Sequence, residues 1–108
     1  MNMEKSSFVE YFGEYPWIKI WDFFLTYRDF DYYLTDIAEN TGIGWATANR
    51  IFPKFVKKKI VIKTRQIGRA KLYKLNEKNP IVKKMIEVYN TVGKTAIENE
   101  MEKQKIKI

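Results

Sequence analysis

The stretch from Asn40 to Phe55, NTGIGWATANRIFPKF, decides how the rest of the chain is read. Gly42 and Gly44 flank one isoleucine, as in a loop that cradles phosphate, and the residues after them have helical character until Pro53 intervenes. A nucleotide-binding fingerprint of the G-x-G-x-x-G type would need a strand before the glycines and a third glycine at position 47. That position is Thr47, and the preceding LTDIAEN is helix-like rather than strand-like. The two glycines therefore read as a corner: Gly42 stops one helix in the left-handed conformation, and Gly44 opens the next.

At 100° per residue the second helix has a definite inside. Ala48, Ile51, Phe52 and Phe55 fall on one side, while Ala46, Asn49, Arg50 and Pro53 face the other, with Thr47 and Lys54 at its edges. Trp45 lies nearer the boundary of the core face. The Pro53 ring points outward, yet its missing N–H and its bulk predict a kink or a break near Arg50 to Phe52.

Upstream, Thr35 is the expected cap of a short helix over about Asp36–Thr41, with Ile37 and Ala38 inward and Asp36 suited to the first turn. Tyr32, Tyr33 and Leu34 read as a short extended segment. Before them, Pro16 to about Tyr27 forms a core helix carrying Trp17, Ile18, Ile20, Trp21, Phe24 and Leu25, and Ser6–Phe12 adds an aromatic helical turn.

Downstream the period changes. IVIKTR and AKLYKL, within residues 60–75, alternate as strands do, and Gln66, Ile67, Gly68 and Arg69 separate them with a glycine available for positive φ. Asn79-Pro80 is a helix start, an N-cap followed by proline at the first position. Val82, Met85, Tyr89, Val92 and Ala96 then recur at spacings of three and four, which predicts a terminal helix over 79–103 that frays from about Met101. A second apolar edge on that helix favours a homodimer.

Charge is distributed unevenly. Residues 1–49 hold three Lys/Arg against eight Asp/Glu, residues 50–84 hold thirteen against Glu77 alone, and the remainder is balanced, for a net charge of +7. A basic segment that also carries aromatic and β-branched residues displays its charge on a folded surface, which suits a polyanion. With no cysteine and no histidine, disulfides, thiolate nucleophiles, imidazole bases and the usual zinc sites are excluded. No carboxylate pair or nucleophile–base pair has catalytic spacing, so neither enzymatic activity nor a cofactor is expected. At 108 residues the chain reads as a single domain, without a membrane span or a signal peptide, and is assigned to the cytoplasm.

The order helix, short helix, outward-facing helix, hairpin, terminal helix resembles the winged helix-turn-helix transcription regulators of prokaryotes, and most of all small archaeal regulators of the ArsR and MarR type. LTDIAENTGIGWATANRI at 34–51, KKKIVIKTRQIGRAKLYKLN at 57–76 and NPIVKKMIE at 79–87 carry the likeness, with FGEYPWIKIWDFFL at 12–25 as the lead helix. It departs from the family where Gly44 and Trp45 replace the serine and the polar residue usual at the helix entry. The cysteine and histidine clusters of metal-sensing relatives are also missing.

The resemblance implies a mainly α fold with a small β-hairpin wing (α+β) and a long C-terminal helix. It also implies a sequence-specific regulator of double-stranded DNA. The recognition helix over 45–52 would enter the major groove and the wing over 60–75 would lie on the backbone or in the minor groove. Asn49 has the amide to read adenine and Arg50 the fork to read guanine, whereas Thr47 and Lys54 are suited to phosphates. Trp45 and Ala46 complete the helix set, and Lys63, Arg65, Gln66, Arg69 and Lys71 form the wing set. A winged-helix module for protein assembly or RNA binding is the alternative, since the fold does not fix the function.

Overall fold

The structure, a computed structural model, describes residues 5–106. It is α+β. The elements run α1 (Ser7–Phe12), α2 (Pro16–Thr26), β1 (Tyr32–Tyr33), α3 (Leu34–Thr41), α4 (Trp45–Lys57), β2 (Val61–Ile67), β3 (Ala70–Leu75) and α5 (Pro80–Ile106). The strands form an antiparallel sheet in the order β1-β3-β2.

Helix α2 is the hub. Ile18, Ile20, Trp21, Phe23, Phe24 and Leu25 are buried, and their rings meet the neighbouring elements. Phe24 stacks against Phe52 of α4 at 6.3 Å, Trp21 meets Phe55 edge-on at 5.9 Å, and Phe23 meets Tyr32 of β1 at 4.8 Å. Ile37, Ala48, Val61, Leu75 and Val82 bring α3, α4, both long strands and α5 into the same core. Helix α1 is fastened to it through Ser6, whose Oγ accepts the Val9 N–H and donates to Asp22 Oδ1 at 2.7 Å. Burial raises the Asp22 carboxyl above its ordinary value, and the Ser6 hydrogen bond opposes that shift.

The local signals act largely as expected. Gly42 takes φ +73°, ending α3, and Gly44 is the N-cap of α4. Asn79 Oδ1 accepts the Ile81 N–H, capping α5, while its amide donates to the Lys59 carbonyl at 3.0 Å. Asn76 donates to the same carbonyl at 2.9 Å. Lys59 has φ +58°, a conformation that side chains rarely adopt, and these two amides hold it where α4 turns into β2.

Five expectations are corrected. Helix α3 begins at Leu34, so Thr35 is not its cap; Tyr33 holds the cap position, and the Asp36 carboxylate accepts the Tyr33 backbone N–H at 3.0 Å. The extended segment expected over Tyr32, Tyr33 and Leu34 is a strand at Tyr32–Tyr33 alone, Leu34 being helical; the strand pairs with Tyr73 and Leu72 and makes the hairpin a three-stranded sheet. The hairpin connection is two residues, Gly68 and Arg69, with Gly68 at φ +62°, where a II′ turn takes glycine.

Helix α4 passes through Pro53 without a break. Phe52 and Phe55 anchor the turn on both sides of the proline and its ring faces solvent, so the loss is confined to one ladder bond. Helix α5 continues to Ile106 rather than fraying from Met101, since Glu, Met, Lys and Gln are all good helix formers.

Candidate nucleic-acid interface

The face opposite the buried stripe of α4 is open. Trp45, Ala46, Asn49, Arg50, Pro53 and Lys54 are exposed, Thr47 is half-buried, and Ala48, Phe52 and Phe55 are fully inside. Gly44 offers no side chain to satisfy the first N–H groups of the helix, and no side-chain cap bonds them, at the positive end of the helix dipole. On the hairpin, Lys63, Arg65, Gln66, Arg69 and Lys71 are likewise exposed.

These residues divide into free and engaged groups. Among the described residues, Arg50, Lys54, Lys57, Arg69 and Lys71 form no salt bridge. Arg65 does: Nε donates to Asp31 Oδ2 at 2.9 Å and Nη2 to Oδ1 at 3.2 Å. Thr64 donates to the same carboxylate at 2.6 Å, from a β-bulge where the register with β3 shifts between Lys63 and Arg65. The Arg65 hydrogen bonds hold the Asp31 carboxyl below its ordinary value, and Asp31 raises the Arg65 guanidinium in return. Gln66, though exposed, is engaged locally, its amide donating to the Gly68 carbonyl at 3.0 Å.

A groove of about 640 Å³ runs between α4 and the hairpin. Trp45 and Pro53 line it from α4, Arg69 and Lys71 from β3 and its turn, and Tyr33 and Thr35 from the start of α3. Lys57, which the sequence reading did not include among the site residues, lies here too. The structure thus brings Trp45, Arg69 and Lys71 of the expected set around one depression. Ala46, Thr47, Asn49, Arg50 and Lys54 lie on α4 outside its lining, as do Lys63, Arg65 and Gln66 of β2.

Trp45 is 52% exposed and faces this groove rather than the core. Lys57 was recognisable only as the start of a lysine run; Tyr33 and Tyr73 had no sequence signal, because their place in the groove depends on the β1–β3 pairing.

A second groove, of about 870 Å³, runs along the seam where α1 packs on α5, with Tyr11, Phe12, Val88, Val92 and Ala96 in its wall beside Glu10, Lys84 and Glu87. Beyond it, residues 94–104 of α5 are all exposed, with Ile97 at 64% and Met101 at 57%. Among the described residues no helix is long and apolar enough to cross a membrane, and no group of His, Cys, Asp or Glu could hold a metal ion. Comparison with known proteins gives no matching family model, no matching curated protein and no matching solved structure.

Proposed function

We propose that the protein is a sequence-specific double-stranded DNA-binding transcription regulator of the winged helix-turn-helix kind. The observation that carries this reading is the continuity of unpaired cations from the outward face of α4 through Lys57 to Arg69 and Lys71, on a surface whose groove has no carboxylate in its lining. Helix α4 enters the major groove, where Asn49 and Arg50 meet base edges, each good contact contributing about 1–3 kcal/mol of discrimination. The hairpin is the wing, with Arg69 at its tip for the backbone or minor groove.

Two copies pair through α5. Its exposed Ile97 and Met101, and the apolar groove beside α1, support this arrangement. A two-fold dimer would read a near-palindromic site with half-sites about one helical turn apart.

The test is the salt dependence of binding to random duplex and to sequences selected from a random pool, with the mass of the complex measured alongside. Arg50→Ala should weaken selected sites more than random DNA, and Lys57→Ala should weaken both alike. Failure to bind any duplex at low salt would end the proposal. Equal losses for the two variants on both DNAs would contradict the assigned roles.

A further inference from the structure

The groove between α4 and the hairpin has a composition that a paired duplex leaves unexplained. Phosphates need cations and polar donors, which its rim supplies in Lys57, Arg69 and Lys71. Its interior is different: Phe52, Val56 and Tyr73 are apolar or aromatic, and Trp45 stands half in water beside them. A phosphate gains nothing against such a surface and loses its hydration there. A nucleobase removed from its stack has the opposite needs, a flat apolar face to be covered and charged phosphates on either side.

We infer that this groove takes an unpaired nucleotide of a nucleic-acid strand, with the base stacked on Trp45 and the flanking phosphates held by Lys57, Arg69 and Lys71. Its size lies within the range of about 300–1,000 Å³ usual for small-molecule sites, enough for one base with its sugar. The rim cations match the charge of the strand, and the absence of any acidic residue from the lining removes the repulsion that would oppose it. Tyr33, the N-cap of α3, adds a second, half-buried aromatic ring to the lining beside Leu34 and Thr35. The site rests on the nucleic-acid-binding reading of the same face and adds a preference for strands with a base out of the helix.

The experiment compares a fully paired DNA duplex with the same duplex carrying one bulged thymine, and with the bulged base replaced by 2-aminopurine for fluorescence. One stacked base should make the bulged duplex bind about 5- to 150-fold more tightly than the paired one. The 2-aminopurine emission should fall on binding. Trp45→Ala should bring the ratio of the two affinities to about one, and Trp45→Phe, which keeps an aromatic face, should restore most of it. Thermal melting of both variants checks that they fold.

If the wild type binds both duplexes equally, the inference is overturned while duplex recognition stands. An unchanged ratio in Trp45→Ala also overturns it, because DNA flexibility alone would then explain the preference. Binding of the bulged duplex without the paired one supports the groove and sinks the regulator reading, and binding of neither removes both.

Discussion

Helix α2 and the β2–β3 hairpin have different relations to solvent. In α2 six of eleven residues are buried, and its only ionisable side chains are Lys19 and Asp22. In the hairpin Val61, Leu72 and Leu75 are buried, while Lys63, Arg65, Arg69, Lys71 and Lys74 are carried on the strands and turn. The buried hairpin residues Val61 and Leu75 face each other at its base, where β2 and β3 meet the core. A small chain thus presents concentrated positive charge by holding one end of a ribbon through apolar contacts and leaving the tip without packing obligations.

The difference between helix and ribbon is largest where apolar packing is removed. Phe24 is fully buried and touches Phe23, Tyr32 and Phe52. Phe24→Ala should cost about 3–5 kcal/mol in urea or thermal unfolding, from transfer and cavity terms together. Ile67→Ala, at a hairpin position that is 54% exposed, should stay within about 0.5 kcal/mol. Similar losses at the two positions would mean that the hairpin is packed as tightly as the helix.

What the sequence disclosed follows the same division. Periodicity located α2 and the inward stripe of α4 because local spacing decides which residues share a helix face, and Gly42, Gly68 and Asn79 marked chain reversals through backbone chemistry of their own. The pairing of Tyr32–Tyr33 with residues 72 and 73 was hidden, since a two-residue strand has no period and its partner lies some forty positions away. The same holds for the site. Exposure of Asn49, Arg50, Arg69 and Lys71 could be read from α4 and the hairpin separately, whereas the groove that Arg69 and Lys71 line with Trp45 and the capture of Arg65 by Asp31 arise only when distant segments meet.

Pro53 offers the next largest effect, with the opposite sign. Proline inside a helix is about 3 kcal/mol worse than alanine, and alanine returns about 0.4–1 kcal/mol to the unfolded chain as entropy. With the ring exposed and Phe52 and Phe55 already fixing the helix, Pro53→Ala should stabilise the fold by about 2 kcal/mol. Destabilisation instead would show that the proline ring contributes packing within the groove. Gly68→Ala should cost about 1 kcal/mol: a Cβ there meets nothing within 4 Å, so the penalty is the left-handed backbone itself.

The smallest change in overall stability is expected at Asp31, and it tests whether the hairpin is held only at its base. Asp31 joins the segment before β1 to the bulge of β2 through Thr64 and Arg65, both exposed. Because the carboxyl is depressed in the folded chain, its contribution is present above the unfolded value and is lost as pH falls through the lower folded value. Acid should therefore loosen the bulge, seen as faster amide exchange at Thr64 and Arg65, while the core of α2 stays protected. Asp31→Asn should show the loosened exchange already at neutral pH and little further change in acid, with global melting unaltered. It also releases the Arg65 guanidinium toward solvent. If the cationic face binds duplex DNA, the freed charge should steepen the logarithmic salt dependence by about 0.9. Unchanged exchange and an unchanged salt slope would mean that the bulge is fixed by its strand pairing alone, leaving Asp31 a surface partner without influence on the ribbon it touches.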